Sequence, residues 1–95
     1  LTFAGNRSDV VITKFNYTIN KNHVTFNMSI NESNFDKVLY KDFKETRPSW
    51  RNLCSSLRND ICYKKLFFKT GQHNVTIQIS DKADNSIQIN KEFAV

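Results

Sequence analysis

Glycine and proline are almost missing from this chain, which has two Gly and one Pro in 95 residues. Its turns must then be made by Asn, Asp and Ser, which tolerate left-handed backbone or cap themselves through side-chain hydrogen bonds. Twelve Asn are available for this. No apolar run approaches about 18 residues, which excludes a membrane span within the chain. Hydrophobic content of 39% and aromatic content of 13% are too high for a disordered segment. There is no helix-period stripe, internal repeat or low-complexity linker. Chemistry-bearing motifs are missing too: no Ser-His-Asp order, no Gly-rich phosphate loop, no H-E-x-x-H and no carboxylate pair. The chain therefore reads as a non-enzyme with no catalytic residue and no cofactor.

Ninety-five residues make one domain, 1–95, with 1–8 read as an extended N-terminal arm. A chain this short buries roughly 60–65% of the surface its unfolded form exposes, so a covalent staple would help. It opens on Leu1 rather than Met and carries no signal-peptide pattern, so it reads as a processed chain or a piece of a longer one. The formal charge is +5. Its densest basic groups are Lys37–Lys41–Lys44–Arg47–Arg51 and Lys64–Lys65–Lys69. These are spaced as a solvated face rather than a nucleic-acid footprint, so no nucleic-acid partner is expected.

What is present is alternation. In "DVVITKFNYTI", Val11, Thr13, Phe15, Tyr17 and Ile19 share one face, and Lys14, Asn16 and Thr18 share the other. In "HVTFNMSI", Val24, Phe26, Met28 and Ile30 point inward. "FDKVLYKDF" is a less regular strand with Val38 and Tyr40 inward. "RPSWRNLCSSL" holds the sole Pro, which argues for an edge strand or a loop. "WRNLCSSLRND" is the one stretch that could hold a helical turn. "CYKKLFFK" follows, then "HNVTIQIS" with Val75, Ile77 and Ile79 inward and Asn74, Thr76 and Gln78 outward. "SIQINKEFAV" closes the chain with Ile87, Ile89, Phe93 and Val95 on one side and Lys91 as an exception. About seven short strands at this spacing predict an all-β fold, an antiparallel two-sheet sandwich.

Asn is a poor strand residue, yet Asn16 and Asn27 sit well inside alternating runs. Both begin an Asn-X-Ser/Thr triplet. The five triplets are Asn6-Arg-Ser8, Asn16-Tyr-Thr18, Asn27-Met-Ser29, Asn31-Glu-Ser33 and Asn74-Val-Thr76. Twelve Asn and fifteen Ser plus Thr would give about two by chance. Turn preference alone accounts for Asn6 and Asn31, but not for Asn16 and Asn27, and only awkwardly for Asn74. In a strand the Asn and the hydroxyl residue two places on share the outward face, so a sugar could leave the surface without touching the core. All five are candidate N-glycosylation sites, which assigns the chain to an extracellular or cell-surface location. Glycans on an outer face would also block edge-to-edge aggregation.

Cys54 and Cys62 are the only Cys. Their spacing is not C-x-x-C, and two Cys with distant His23 and His73 do not make a structural zinc site. On an oxidised exterior they pair as a disulfide. A link closing so short a loop is worth about 2.6 kcal/mol. His23 and His73 each open a strand, and in a sandwich those two ends lie at the same pole on opposite sheets, where a metal would need more ligands. Asp81, Asp84 and Asn85 offer oxygen ligands on one turn, a weak Ca²⁺ candidate beside the simpler reading as an Asx-capped hairpin, so no metal is assigned. Trp50 with Tyr40 is a candidate sugar platform, or part of the core edge.

The stretch "GQHNVTIQISDKADNSIQINKEFAV" resembles the last two strands of immunoglobulin-like modules of prokaryotic surface proteins. Gly71, His73, Val75, Ile77, Ile79, Asp81, Ala83 and Asn85 match, and Asp84 stands where Gly is usual. Val38, Tyr40, Trp50, Leu53 and Cys54 are similar to such modules more loosely, the spacing to Cys62 being wider. The resemblance implies an immunoglobulin-like sandwich serving as a structural or adhesive unit, with no catalytic residues. Three functions compete. The first is a non-catalytic surface module in contact with copies of itself, neighbouring domains, or a protein or glycan ligand. The second is a filament or surface-layer subunit exchanging the strand "LTFAGNRSDVVITKF". The third is a receptor or ligand ectodomain binding through its Lys37–Arg51 face.

Overall fold

Alternating β-branched and aromatic residues, separated by Asn- and Asp-rich turns, build strands and nothing else. The computed structural model describes residues 12–31 and 34–95. Seven strands follow in order: β1 (Ile12–Asn20), β2 (His23–Ile30), β3 (Phe35–Asp42), β4 (Arg51–Cys54), β5 (Ile61–Phe67), β6 (Gln72–Asp81) and β7 (Ser86–Ala94). The described residues contain no helix; "WRNLCSSLRND" is strand β4 followed by bends and a bridge. The strands form two antiparallel sheets, ordered β1-β2-β5 and β4-β3-β6-β7. The fold is a two-sheet sandwich. The arm at 1–8, Val11 and the Asn6 triplet lie outside the described residues.

The turns use the residues the composition left available. Positive φ occurs at Lys21, Asn34, Asn59, Asp60 and Asp84 among the non-glycines described. Four of these five are Asn or Asp, whose short polar side chains make the left-handed region accessible. Asp84, where the resemblance has Gly, adopts φ +64°. Gly71 takes φ +133° and exchanges two backbone hydrogen bonds with Val95, at 2.9 and 3.0 Å.

The core lies between the sheets. Val24, Phe26, Met28 and Ile30 of β2 are buried, as are Val75, Ile77 and Ile79 of β6, Val38, Ile87 and Phe93. Each such side chain removed from water contributes about 1.5–3 kcal/mol. Tyr40, Phe15 and Tyr17 are partly buried against it. Lys91 breaks the inward pattern of β7 without harm, because its ammonium lies 5.5 Å from the Phe15 ring centroid at the flank where β1 meets β7. On β5, Lys64 sits opposite the inward-facing Phe26 yet is exposed. A charge pointing inward on an edge strand discourages another strand from pairing there.

Three expectations need correction. The regular alternation drawn through "DVVITKFNYTI" does not survive at its start, where Ile12 is buried despite its even position. A register shift between Ile12 and Lys14 exchanges the two faces. Thr76 belongs to the outward set, yet it is buried because the Asn90 amide lies over it and donates to its Oγ1 at 2.8 Å. Trp50 and Tyr40 do not form one platform. Tyr40 faces inward and is matched with Arg51, whereas Trp50 lies over the ammonium of Lys41, the next residue along and hence on the opposite face.

Candidate functional site

The outer face of the three-stranded sheet gathers two of the candidate glycosylation sites. Asn16 and Asn27 are directly opposed across β1 and β2, and Tyr63 of β5 is the next residue in the same row. Directly opposed residues have Cβ atoms about 4.5–5.5 Å apart. Both Asn are exposed, and neither amide side chain hydrogen-bonds another described residue. Their partners Thr18 and Ser29 follow on the same face. Asn31 directly follows β2 and is exposed, but Ser33 of its triplet lies outside the described residues. Asn74 differs. It is half-buried on the central strand β6 and accepts a 2.8 Å hydrogen bond from the Asn90 amide through Oδ1. That bond gives Asn74 a structural role in an amide ladder that continues in Gln88 and Gln78, 3.1 Å apart.

Cys54 and Cys62 form a disulfide between β4 and β5, so the bond joins the edge strands of the two sheets along one flank. The Asp81 turn is an Asx-capped hairpin. Oδ1 of Asp81 accepts from the backbone amides of Ala83 and Asn85, both at 2.9 Å, and Oδ2 accepts from the Asn85 side chain at 3.3 Å. Among the described residues, no group of three His, Cys, Asp or Glu side chains is placed to share a metal ion.

The other pole holds a groove of about 840 Å³ that the sequence did not announce. Three parts of the chain converge there: the end of β3 with the loop to β4, the first residue of β4, and the β5–β6 turn with the start of β6. At its base is a pair formed by the buried Asp42 and the half-buried His73. His73 Nδ1 lies 2.5 Å from Asp42 Oδ2, and His73 Nε2 lies 2.6 Å from the Lys69 carbonyl oxygen. Both ring nitrogens thus face acceptors, which favours the doubly protonated imidazolium. Burial works against that charge, but the Lys69 carbonyl and the Asp42 carboxylate outweigh it and raise the His73 pKa above 6.5. Asp42 Oδ1 accepts from the backbone amides of Lys44 at 3.0 Å and Asn74 at 3.3 Å, which ties β3, its loop and β6 together. On the wall, a hydrogen bond to the Tyr40 side chain and then the charge of Glu45, 2.9 Å away, raise the Arg51 pKa.

No family model, curated protein or solved structure matches this chain. The geometry alone therefore bears on function.

His23 and His73 do share this pole, as their positions at the starts of β2 and β6 suggested, but they do not meet. His23 packs edge-on against Phe67, and His73 packs edge-on against Phe68. Sequence reasoning missed Asp42 entirely. A signal was available: Asp42 has the same parity as Val38 and Tyr40, and His73 the same parity as Val75, Ile77 and Ile79. Two polar residues on inward positions near strand ends were marked as partners, and β3 and β6 bring them together as neighbours in one sheet.

Proposed function

We propose that this chain is a non-catalytic, N-glycosylated structural or adhesion module of an extracellular or cell-surface protein. One observation carries the reading. Asn16 and Asn27 stand mid-strand, exposed and opposed, with neither amide engaged by a described residue. An unengaged Asn in a strand costs stability without return, unless attachment to a sugar is its use. The Cys54–Cys62 disulfide fits an oxidising compartment. No helix among the described residues is long and apolar enough to cross a membrane. The strand order β1-β2-β5 over β4-β3-β6-β7 suits the immunoglobulin-like arrangement that the C-terminal stretch resembles.

The test is the intact mass of the natively produced protein before and after enzymatic deglycosylation, with peptide mapping. Carbohydrate on Asn16 or Asn27 is expected. Bare amides at both would overturn the reading. A second reading, a receptor or ligand ectodomain, is favoured by the polar groove, because Lys44, Arg47 and Arg51 of the Lys37–Arg51 face line it.

A further inference from the structure

The groove at the His73 pole carries more positive charge than its own acids can use. Lys44, Arg47, Arg51, Lys69 and His73 line it together with only two carboxylates, Asp42 and Glu45. Neither acid is free. Glu45 is paired with Arg51 at 2.9 Å. Asp42 accepts from His73 and from two backbone amides. Among the described residues, no carboxylate lies within ion-pair distance of the side chains of Lys44, Arg47 or Lys69. Three uncompensated cations from two separate loops thus border one concavity, an arrangement that focuses a positive potential into it and repels metal ions.

We propose that this groove binds an anionic oligosaccharide, one bearing carboxylates or sulfates, with Lys44, Arg47 and Lys69 contacting the acidic groups. The proposal does not depend on whether the chain itself carries sugar. The volume falls within the roughly 300–1,000 Å³ of small-ligand sites. Thr46, Thr70 and Gln72 are interleaved with the cations and supply hydroxyl and amide partners for sugar hydroxyls. Phe67, 70% exposed, offers a flat apolar ring at the rim for a sugar's C–H face. An acidic peptide fits less well, because peptide recognition leans on apolar anchors in enclosed pockets. Here the remaining aromatic residues of the lining are already engaged, Phe68 in the core and Tyr40 partly buried against it.

The experiment is an NMR titration of the ¹⁵N-labelled protein with three probes: a hexamer of galacturonic acid, its fully methyl-esterified form, and a glutamate oligopeptide of equal charge. Saturable binding of the acidic hexamer is expected, with shifts centred on 44–47 and 67–73. The ester is expected to bind at least about tenfold more weakly. Each exposed charge pair contributes about 1.4- to 5-fold, so Lys44→Ala/Arg47→Ala/Lys69→Ala together should weaken binding about tenfold. Lys14→Ala/Arg58→Ala/Lys82→Ala removes the same charge from exposed positions away from the groove and should change affinity less than about twofold. Amide spectra of both triple variants check that the fold is retained. The proposal is overturned if no saturable binding occurs, if the shifts centre elsewhere, or if ester and acid bind alike. It also fails if the peptide binds as tightly as the sugar, or if the two triple variants weaken binding equally.

Discussion

Replacing Asp42 by Asn tests whether the pole is held by a charged His73. Asn keeps the size of the side chain and an oxygen acceptor for the Lys44 and Asn74 amides, but removes the negative charge facing Nδ1. The two side chains are only 4% and 11% exposed, so the pair escapes most of the solvent screening that weakens surface ion pairs. A hydrogen bond to a charged group at such a site is worth about 1.5–3 kcal/mol. The sign of the pH effect follows from the raised pKa of His73. A group that holds its proton more tightly when folded stabilises the fold in full below its unfolded pKa, here 6.5, and loses that contribution as pH rises through the folded pKa. The wild-type urea midpoint should therefore fall between about pH 6 and about pH 9. The Asp42→Asn protein should start about 1.5–3 kcal/mol lower at about pH 6 and lose much less across the same window. His73→Gln should flatten the profile from the other side of the pair. A flat wild-type profile, or an Asp42→Asn profile as steep as wild type, would refute the reasoning.

Two further perturbations probe the flank and the opposite hairpin. Cys54→Ala/Cys62→Ala should cost about 2.6 kcal/mol by loop entropy, a fall in Tm of about 10–20 °C by calorimetry; a drop under about 3 °C would mean that the link constrains little. Asp81→Ala removes the acceptor for the Ala83 and Asn85 amides at a site 1% exposed, at a cost of about 1–3 kcal/mol. Hydrogen exchange at those two amides should accelerate more than at the β2 core, and equal protection in both proteins would count against the cap.

Strands whose apolar residues alternate without interruption were legible in the sequence. β2 and β6 bury the residues their parity assigns, because period-two spacing leaves one face to the core. The failures fall where a physical term other than parity decides. The shift at Ile12 adds a residue on one side of the ladder, and composition carries no mark of it. Thr76 is buried by the Asn90 amide of the neighbouring strand, which only the β6–β7 register brings over it. The disulfide was legible because the alternatives for two Cys were few. The polar groove was not, because its cations come from loops distant in sequence and converge only once β3, β4, β5 and β6 have assembled. Asp42 was the residue most open to detection. An inward-parity acid at a strand end calls for a buried partner, and His73 is an inward-parity polar residue at the adjoining end.

The cystine between β4 and β5 also sets how far the polypeptide can be drawn out. Eight peptide units pulled straight would span about 27 Å, whereas the link holds its Cα atoms 6.1 Å apart. Under tension an oxidised molecule should lengthen by about 20 Å less than a reduced one, a step within reach of single-molecule force spectroscopy. The pairings of β1 with β2 and of β6 with β3 and β7 lie outside the shortened loop, whereas β2 reaches into it at Ile61, Cys62 and Asp60, so force would still be able to strip β1, β6 and β7 while that segment stayed slack.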